Sequence, residues 1–413
     1  MPNTRQVATD IMNGLSLLLA LCNAAPLFAQ DSSKSSWASL TIQPATLPET
    51  RTILVATPAS YANAQRRYPV LVLLDADDQD QFNAAAANLR FLASRAAIPE
   101  LILVGIVNGK DRTHDLTPPT IAATARQFPT AGGESKFVDF LVNDVLPEVR
   151  SKYRTVPATL LAGHSFGGLV ALHTASTRRE FSGIIAMSPS LWWNDSTAVR
   201  GYGDSLEHPA RPLRLFISSG GLEPAIDVTT QRMVAHLDSV KPRALTYSYR
   251  RYVDANHGMT PLYSLIDGVQ YMFEPMSVVR LPISTLGPGS DSAGVMRAYL
   301  ASRDTYVAGA RSLGFEVNAL PEDQVNNLGY GVLGVLKLPR LAVWLFRENV
   351  RDYPRSPNVY DSLGDGLVAL GDTAAAITQF RRALAVATEV GQPPSSDTKK
   401  KLAALEGGGA KAP

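Results

Sequence analysis

The chain has 413 residues, with 39 Lys+Arg against 37 Asp+Glu and a formal net charge of +2. Balanced charge removes the electrostatic case for nucleic acid or an anionic membrane surface as a partner. Apolar residues make up 45% and charged residues 18%, which is ordinary for a globular chain long enough for two or three domains.

At the N-terminus Arg5 precedes a mostly apolar run, Ile11 to Leu21, and then Ala24-Ala25-Pro26-Leu27-Phe28-Ala29-Gln30. A run this short falls below the roughly 20 residues that span a bilayer. It predicts a secretory signal over 1–29, cut after Ala29, and a periplasmic or secreted protein without stable membrane insertion. Cys22 is the single cysteine. Leu21 before it is not the small residue that lipid attachment needs. Removal of the signal leaves a mature chain without disulfide or thiolate chemistry.

From Leu40 the pattern turns to strands, at Ser39–Gln43, Arg51–Thr57, Pro69–Asp75, Leu101–Val107, Ala158–Ala162, Gly183–Ser188, Leu213–Ser218 and Leu245–Tyr252. "PVLVLLD" and "LILVGIV" are near-continuous apolar runs, the mark of parallel strands covered on both faces. Helical patterns lie between them, at Asn83–Ala97, Ser135–Tyr153 (with a kink expected at Pro147), Asp227–Val240 and Pro261–Phe273. Strands alternating with helices predict an α/β fold with a doubly wound, mostly parallel sheet over residues 30–280.

After Arg280 the stretch "LPISTLGPGSDSAG" predicts a linker over 281–293. Beyond it, 294–413 reads as a small all-α region with an internal repeat. Leu328-Gly329, Ala342 and Phe346 recur as Leu363-Gly364, Ala376 and Phe380, an offset of about 34–35 residues. Small residues let paired helices approach, and large apolar ones fill between them. This period resembles the tetratricopeptide repeat, whose usual use is to bind a protein or peptide partner; packing against the main domain is the competing reading. Lys399-Lys400-Lys401 is expected to be a solvated helix face.

The chemistry centres on Gly163-His164-Ser165-Phe166-Gly167, a G-x-S-x-G pattern between a predicted strand and a predicted helix. That context makes Ser165 the candidate nucleophile on a sharp turn. A serine hydroxyl needs a base oriented by an acid, and in this architecture the chain order is Ser, acid, His. Of the six histidines, His114 precedes the serine and His164 is inside the turn. His173 lies in the next helix, His208 precedes the acid strand, and His236 lies within a helix. His257, in a loop after the last strand, remains as base. The acid should stand just past Leu213–Ser218. Glu223 is the first candidate, Asp227 the second and Asp254 the third. Two backbone N–H donors should face the oxyanion. They are Phe166 and, from the loop after "PVLVLLD", Asp77 or Ala76. The acidic cluster Asp75, Asp77, Asp78, Asp80 lacks the glycine and glutamate of a calcium loop, and no zinc motif occurs. No metal or cofactor is expected.

With these residues in place, the blocks "YPVLVLLDAD", "VGIVNGKDRTHDLTPP", "GGESKFVDFLVNDVLPEVRSKYRT", "LLAGHSFGGLVAL" and "AMSPSLWWND" resemble, in order, those of an esterase family of the α/β-hydrolase fold. That group includes siderophore (enterobactin-type) esterases, esterase D and mycolyltransferases. The resemblance runs from about Trp37 to Met276. It implies Ser165 as nucleophile, His257 as base, and Arg112, Trp192 and Trp193 as lining of the substrate cleft. The expected function is an exported serine ester hydrolase acting on a small-molecule ester, of siderophore type or another. An acyltransferase with the same triad and a non-catalytic scaffold using the helical repeats are the alternatives.

Overall fold

The structure, a computed structural model, describes residues 37–62, 66–209, 212–276, 291–314 and 317–408. The predicted signal segment, and all of the predicted linker except 291–293, lie outside the described residues. The described part from Ser39 onward forms one compact unit. Among the described residues no helix is long and apolar enough to cross a membrane.

Among the described residues eight strands form one sheet: β1 (Ala38–Ile42), β2 (Arg51–Ala56), β3 (Tyr68–Leu73), β4 (Ile102–Ile106), β5 (Thr155–His164), β6 (Gly183–Met187), β7 (Leu213–Gly220) and β8 (Leu245–Tyr252). Their spatial order is β1-β2-β4-β3-β5-β6-β7-β8. β2 runs antiparallel to β4, while the pairs β4/β3, β3/β5, β5/β6, β6/β7 and β7/β8 are parallel. Every residue of β3, β4 and β6 is buried, because helices cover both faces of the sheet. That is why these strands read as unbroken apolar runs rather than alternating ones.

The first covering helices are α1 (Gln79–Ser94), α2 (Arg112–Leu116), α3 (Ala122–Gln127), α4 (Glu134–Phe140) and α5 (Leu146–Lys152). A π-helical turn, Leu141–Val145, joins α4 to α5 just before Pro147. Proline has no N–H to donate back into a helix, and a widened turn is one way for a helix to continue past it. The interruption sits where Pro147 predicted a kink. Next come α6 (Phe166–Thr177), α7 (Trp193–Glu207), α8 (Pro224–Val240) and α9 (Thr260–Phe273). α8 starts three residues earlier than the sequence pattern indicated, because Pro224 fits the first helical position, where no N–H is needed.

The C-terminal helices are α10 (Ser292–Ser312), α11 (Glu322–Gly334), α12 (Pro339–Asp352), α13 (Pro357–Leu370), α14 (Thr373–Glu389) and α15 (Ser396–Gly408). A Cβ at Gly329 would meet the Phe346 ring, and one at Gly364 would meet the Phe380 ring, 2.8 Å from Cζ in each case. The internal repeat is thus a repeated notch, in which a glycine on one helix receives a phenylalanine from the next. Lys401 corrects one expectation. Its ammonium pairs with Asp361 at 2.7 Å and Asp365 at 2.8 Å on α13, so only Lys399 and Lys400 of that run are exposed.

Candidate active site

The site is built on the C-terminal edge of the parallel strands, where strand ends and loops converge. β5 ends at His164, and Ser165 turns the chain directly into α6 with φ 59° and ψ −116°. A non-glycine residue at positive φ costs on the order of 1–3 kcal/mol and persists only where its surroundings enforce it. Here they do. A Cβ at Gly163 would collide with the Gly167 carbonyl, and one at Gly168 would come within 2.8 Å of Pro189 Cα. The Ser165 N–H donates to Met187 O at 3.1 Å, and Ser165 O accepts from the Ser190 N–H at 3.1 Å. The Ser165 hydroxyl itself lies 3.2 Å from Ser190 Oγ.

Glu223 stands at the start of α8, just past β7, and is buried. Its Oε2 accepts from His257 Nδ1 at 2.5 Å. Its Oε1 accepts from Ser188 Oγ at 2.5 Å and from the Gly220 N–H. Burial pushes the carboxyl pKa up, but the bonds from His257, Ser188 and Gly220 outweigh that and hold it below the usual glutamate range. His257 also packs against His164, with ring centroids 4.2 Å apart. Since His164 directly precedes Ser165, the serine, the imidazole and the carboxylate share one edge of the sheet.

The other two acid candidates are placed differently. Asp227 does not begin α8 as expected; it lies within the first turn. It accepts from Ser219 Oγ at 2.7 Å and Arg251 Nε at 2.9 Å. Asp254 is exposed. The remaining histidines have other partners or positions. His173 pairs with buried Glu134 at 3.0 Å, His114 with Asp115 at 3.1 Å, and His236 with Glu207 at 3.0 Å, while His208 is exposed at the end of α7.

Facing the elbow is the loop after β3. The Ala76 N–H donates to Ile106 O at 2.9 Å and so is spent, while that of Asp78 reaches Asp75 O at 3.3 Å. With its N–H already used, Ala76 is the weaker of the two candidate donors named in this loop, Asp77 being the other. Three members of the acidic cluster have partners of their own. Asp75, at φ 62°, forms a bidentate pair with Arg112 at 2.6 and 2.9 Å. Asn108 Nδ2 bridges Asp75 and Asp77 at 2.7 Å each, and Asp78 caps α1. Among the described residues Asp204, Glu207 and His236 bring three potential metal-ligand atoms within 4.8 Å of one another. They lie on α7 and α8 and include none of the elbow residues.

Arg112 braces this loop and also lies 5.5 Å from the Phe166 ring centroid. Trp192 is partly exposed and packs on Phe128 and Phe166. Trp193 corrects the expectation that both tryptophans line a cleft. It has no exposed surface, and its ring is packed against Phe128 at 5.0 Å and Phe166 at 5.3 Å. Trp193 is enclosed, and Trp192 keeps part of its surface exposed.

Residues 45–261, more than half of the chain, match the family model described as "Putative esterase". The chain belongs to this esterase family. A siderophore triacetylfusarinine C esterase of Aspergillus fumigatus is 42% identical over 92 residues, 22% of this chain and 30% of that protein. The ferri-bacillibactin esterase BesA of Bacillus subtilis is 28% identical over 176 residues, 38% of this chain and 60% of that protein. The chain therefore spans less than two thirds of the length of either relative. A crystal structure of an IroE-like serine hydrolase of Shewanella oneidensis is similar with a TM-score of 0.62 at 24% identity, over 76% of this chain and 99% of that one. The chain has the α/β-hydrolase fold, followed by a helical region.

Several residues around this candidate site were not singled out by the sequence pattern. Ser188, Ser190, Asn108 and the contact face of His164 are short-range neighbours only in three dimensions. One available signal was the serine-rich "SPS" after β6, because a strand adjacent to the elbow strand ends beside it. Buried Arg51 was also missed. Its guanidinium holds Asp115 of α2 at 2.6 Å and so fixes the short helix that carries Arg112.

Proposed function

We propose that this chain is an exported serine carboxylic-ester hydrolase working through an acyl-enzyme on Ser165. The observation that carries the reading is the Glu223–His257 bond on the same sheet edge as the strained Ser165 turn. In this mechanism Ser165 Oγ attacks the ester carbonyl while His257 Nε2 takes its proton. Glu223 holds Nδ1–H and stabilises the imidazolium that forms. The N–H groups of Phe166 and Asp77 receive the negative charge on the carbonyl oxygen. His257 then protonates the leaving alcohol. A water molecule, deprotonated by the same imidazole, releases the acid and restores the serine.

The substrate class is a small organic ester. The siderophore esterases among the relatives support a siderophore-type ester as the first substrate to try. Exposed apolar side chains beside the acid and the base, among them Leu222, Val253 and Met259, suit the apolar part of such an ester. The helical segment 294–413 is proposed as a second domain after a linker at 281–293, and its repeats as a surface for a protein or peptide partner.

The decisive experiment is Ser165→Ala. It should abolish hydrolysis of a small activated ester and covalent labelling by a fluorophosphonate. Persistence of either activity would defeat the assignment.

A further inference from the structure

We propose that His164 is a positioning residue for the His257 base, its ring forming the wall against which that imidazole is seated. The inference rests on the serine-hydrolase reading above. Glu223 grips His257 through one nitrogen only, at 2.5 Å. One hydrogen bond fixes a distance and a direction, but leaves the imidazole free to swing about that axis. A swing of that kind would carry Nε2 away from Ser165. The His164 ring lies 4.2 Å from the His257 ring, with the planes at 39°. It comes from a different element, the last residue of β5, which is held in register with Met187 of β6. The two contacts together define one orientation.

How His164 uses its nitrogens points the same way. Buried polar atoms are nearly always hydrogen-bonded, yet His164 Nε2 is shielded from water and has no partner among the described residues. The contact with His257 is made ring to ring, not through that nitrogen. A ring beneath a base that becomes a cation must itself stay uncharged, because a second charge at this spacing would oppose proton uptake. Burial, and then His257 itself, push the His164 pKa down to about 4, against the pull of Asp75 and Glu223 and with Arg112 adding to the push. His164 is therefore uncharged near neutral pH.

The test uses the full chain and the variants His164→Ala and His164→Phe, with p-nitrophenyl acetate as probe and melting temperature as a folding control. His164→Ala should lower kcat about tenfold or more with KM changed less than about twofold. His164→Phe, which restores a neutral ring, should recover kcat to within about threefold of the parent. A His164→Ala kcat within about twofold of the parent would overturn the proposal, as would equal losses in the two variants. So would a rise in KM at unchanged kcat. A second readout needs no turnover. The proton shared by His257 Nδ1 and Glu223 should give a strongly downfield NMR resonance in the parent and in His164→Phe, broadened or lost in His164→Ala. Persistence of that resonance in His164→Ala also overturns the proposal. If the parent shows the resonance pattern but neither cleaves esters nor reacts with fluorophosphonate, the seat for His257 stands and the hydrolase reading falls.

Discussion

Glu223 and His257 meet at 2.5 Å through Oε2 and Nδ1, while the second carboxylate oxygen is held by Ser188 and the Gly220 N–H. The carboxylate is thereby fixed from both sides, and only one of its oxygens is left for the imidazole. Asp227, four residues on, serves Ser219 and Arg251 instead. The pair Glu223→Gln and Asp227→Asn separates the two roles. Glu223→Gln should lower kcat by roughly a thousandfold or more, because an amide cannot select the same tautomer or stabilise the imidazolium. Asp227→Asn should stay within about threefold of the parent, as expected for a residue outside the proton path. Steady-state kinetics on one activated ester decide between them.

The depressed pKa of Glu223 makes a pH prediction. Its folded-state pKa lies below the unfolded value. Its contribution to stability is therefore complete above the unfolded glutamate range, about pH 4.3, and is lost as pH falls through the folded value. The stability gap between the parent and Glu223→Gln should be widest near neutral pH and close steadily below about pH 4. Urea unfolding at a series of pH values measures the gap, and a gap that widens toward acid contradicts the assignment.

The glycines of the elbow are sterically required, whereas Gly201 is not. Gly163→Ala drives a methyl group into the Gly167 carbonyl and should cost about 1–3 kcal/mol, with loss of fluorophosphonate labelling. Gly201, inside α7, has open space where a Cβ would go. Gly201→Ala should leave labelling intact and raise stability by up to about 1 kcal/mol. Chemical denaturation of the two variants side by side checks both signs.

Arg51 and Asp115 form a buried pair with both side chains nearly inaccessible. Removing one partner strands the other charge, so Arg51→Ala should cost about 3–5 kcal/mol. Because Asp115 belongs to the same short helix as Arg112, the change should also loosen the Asp75–Arg112 brace of the loop after β3. A fall in kcat/KM measured well below the melting temperature would register this. Full retention of kcat/KM would show that α2 is held by its other contacts.

Much of the architecture follows from local pattern. The apolar runs of β3 and β4 announce strands buried on both faces. G-x-S-x-G between a strand and a helix marks the turn, because only glycines fit where the backbone doubles back on itself. The repeated Gly–Phe spacing announces paired helices. Periodicity and steric necessity are properties of a few neighbouring residues, and a single sequence carries them in full. Other features depend on which loops meet across the sheet edge, and no spacing encodes that. The chain order allowed three carboxylates, and the tertiary structure brings Glu223 alone of them into contact with His257. Trp192 and Trp193 are adjacent in sequence and both pack on Phe128 and Phe166, yet one is partly exposed and the other has no exposed surface. Asp75 looks like one member of an acidic cluster until Arg112 and Asn108 arrive from another loop. His164, inside the turn by sequence, meets His257 only because the loop after β8 brings the two rings together. The strands determine where chain ends can gather, and the packing of the loops decides which side chains face one another there.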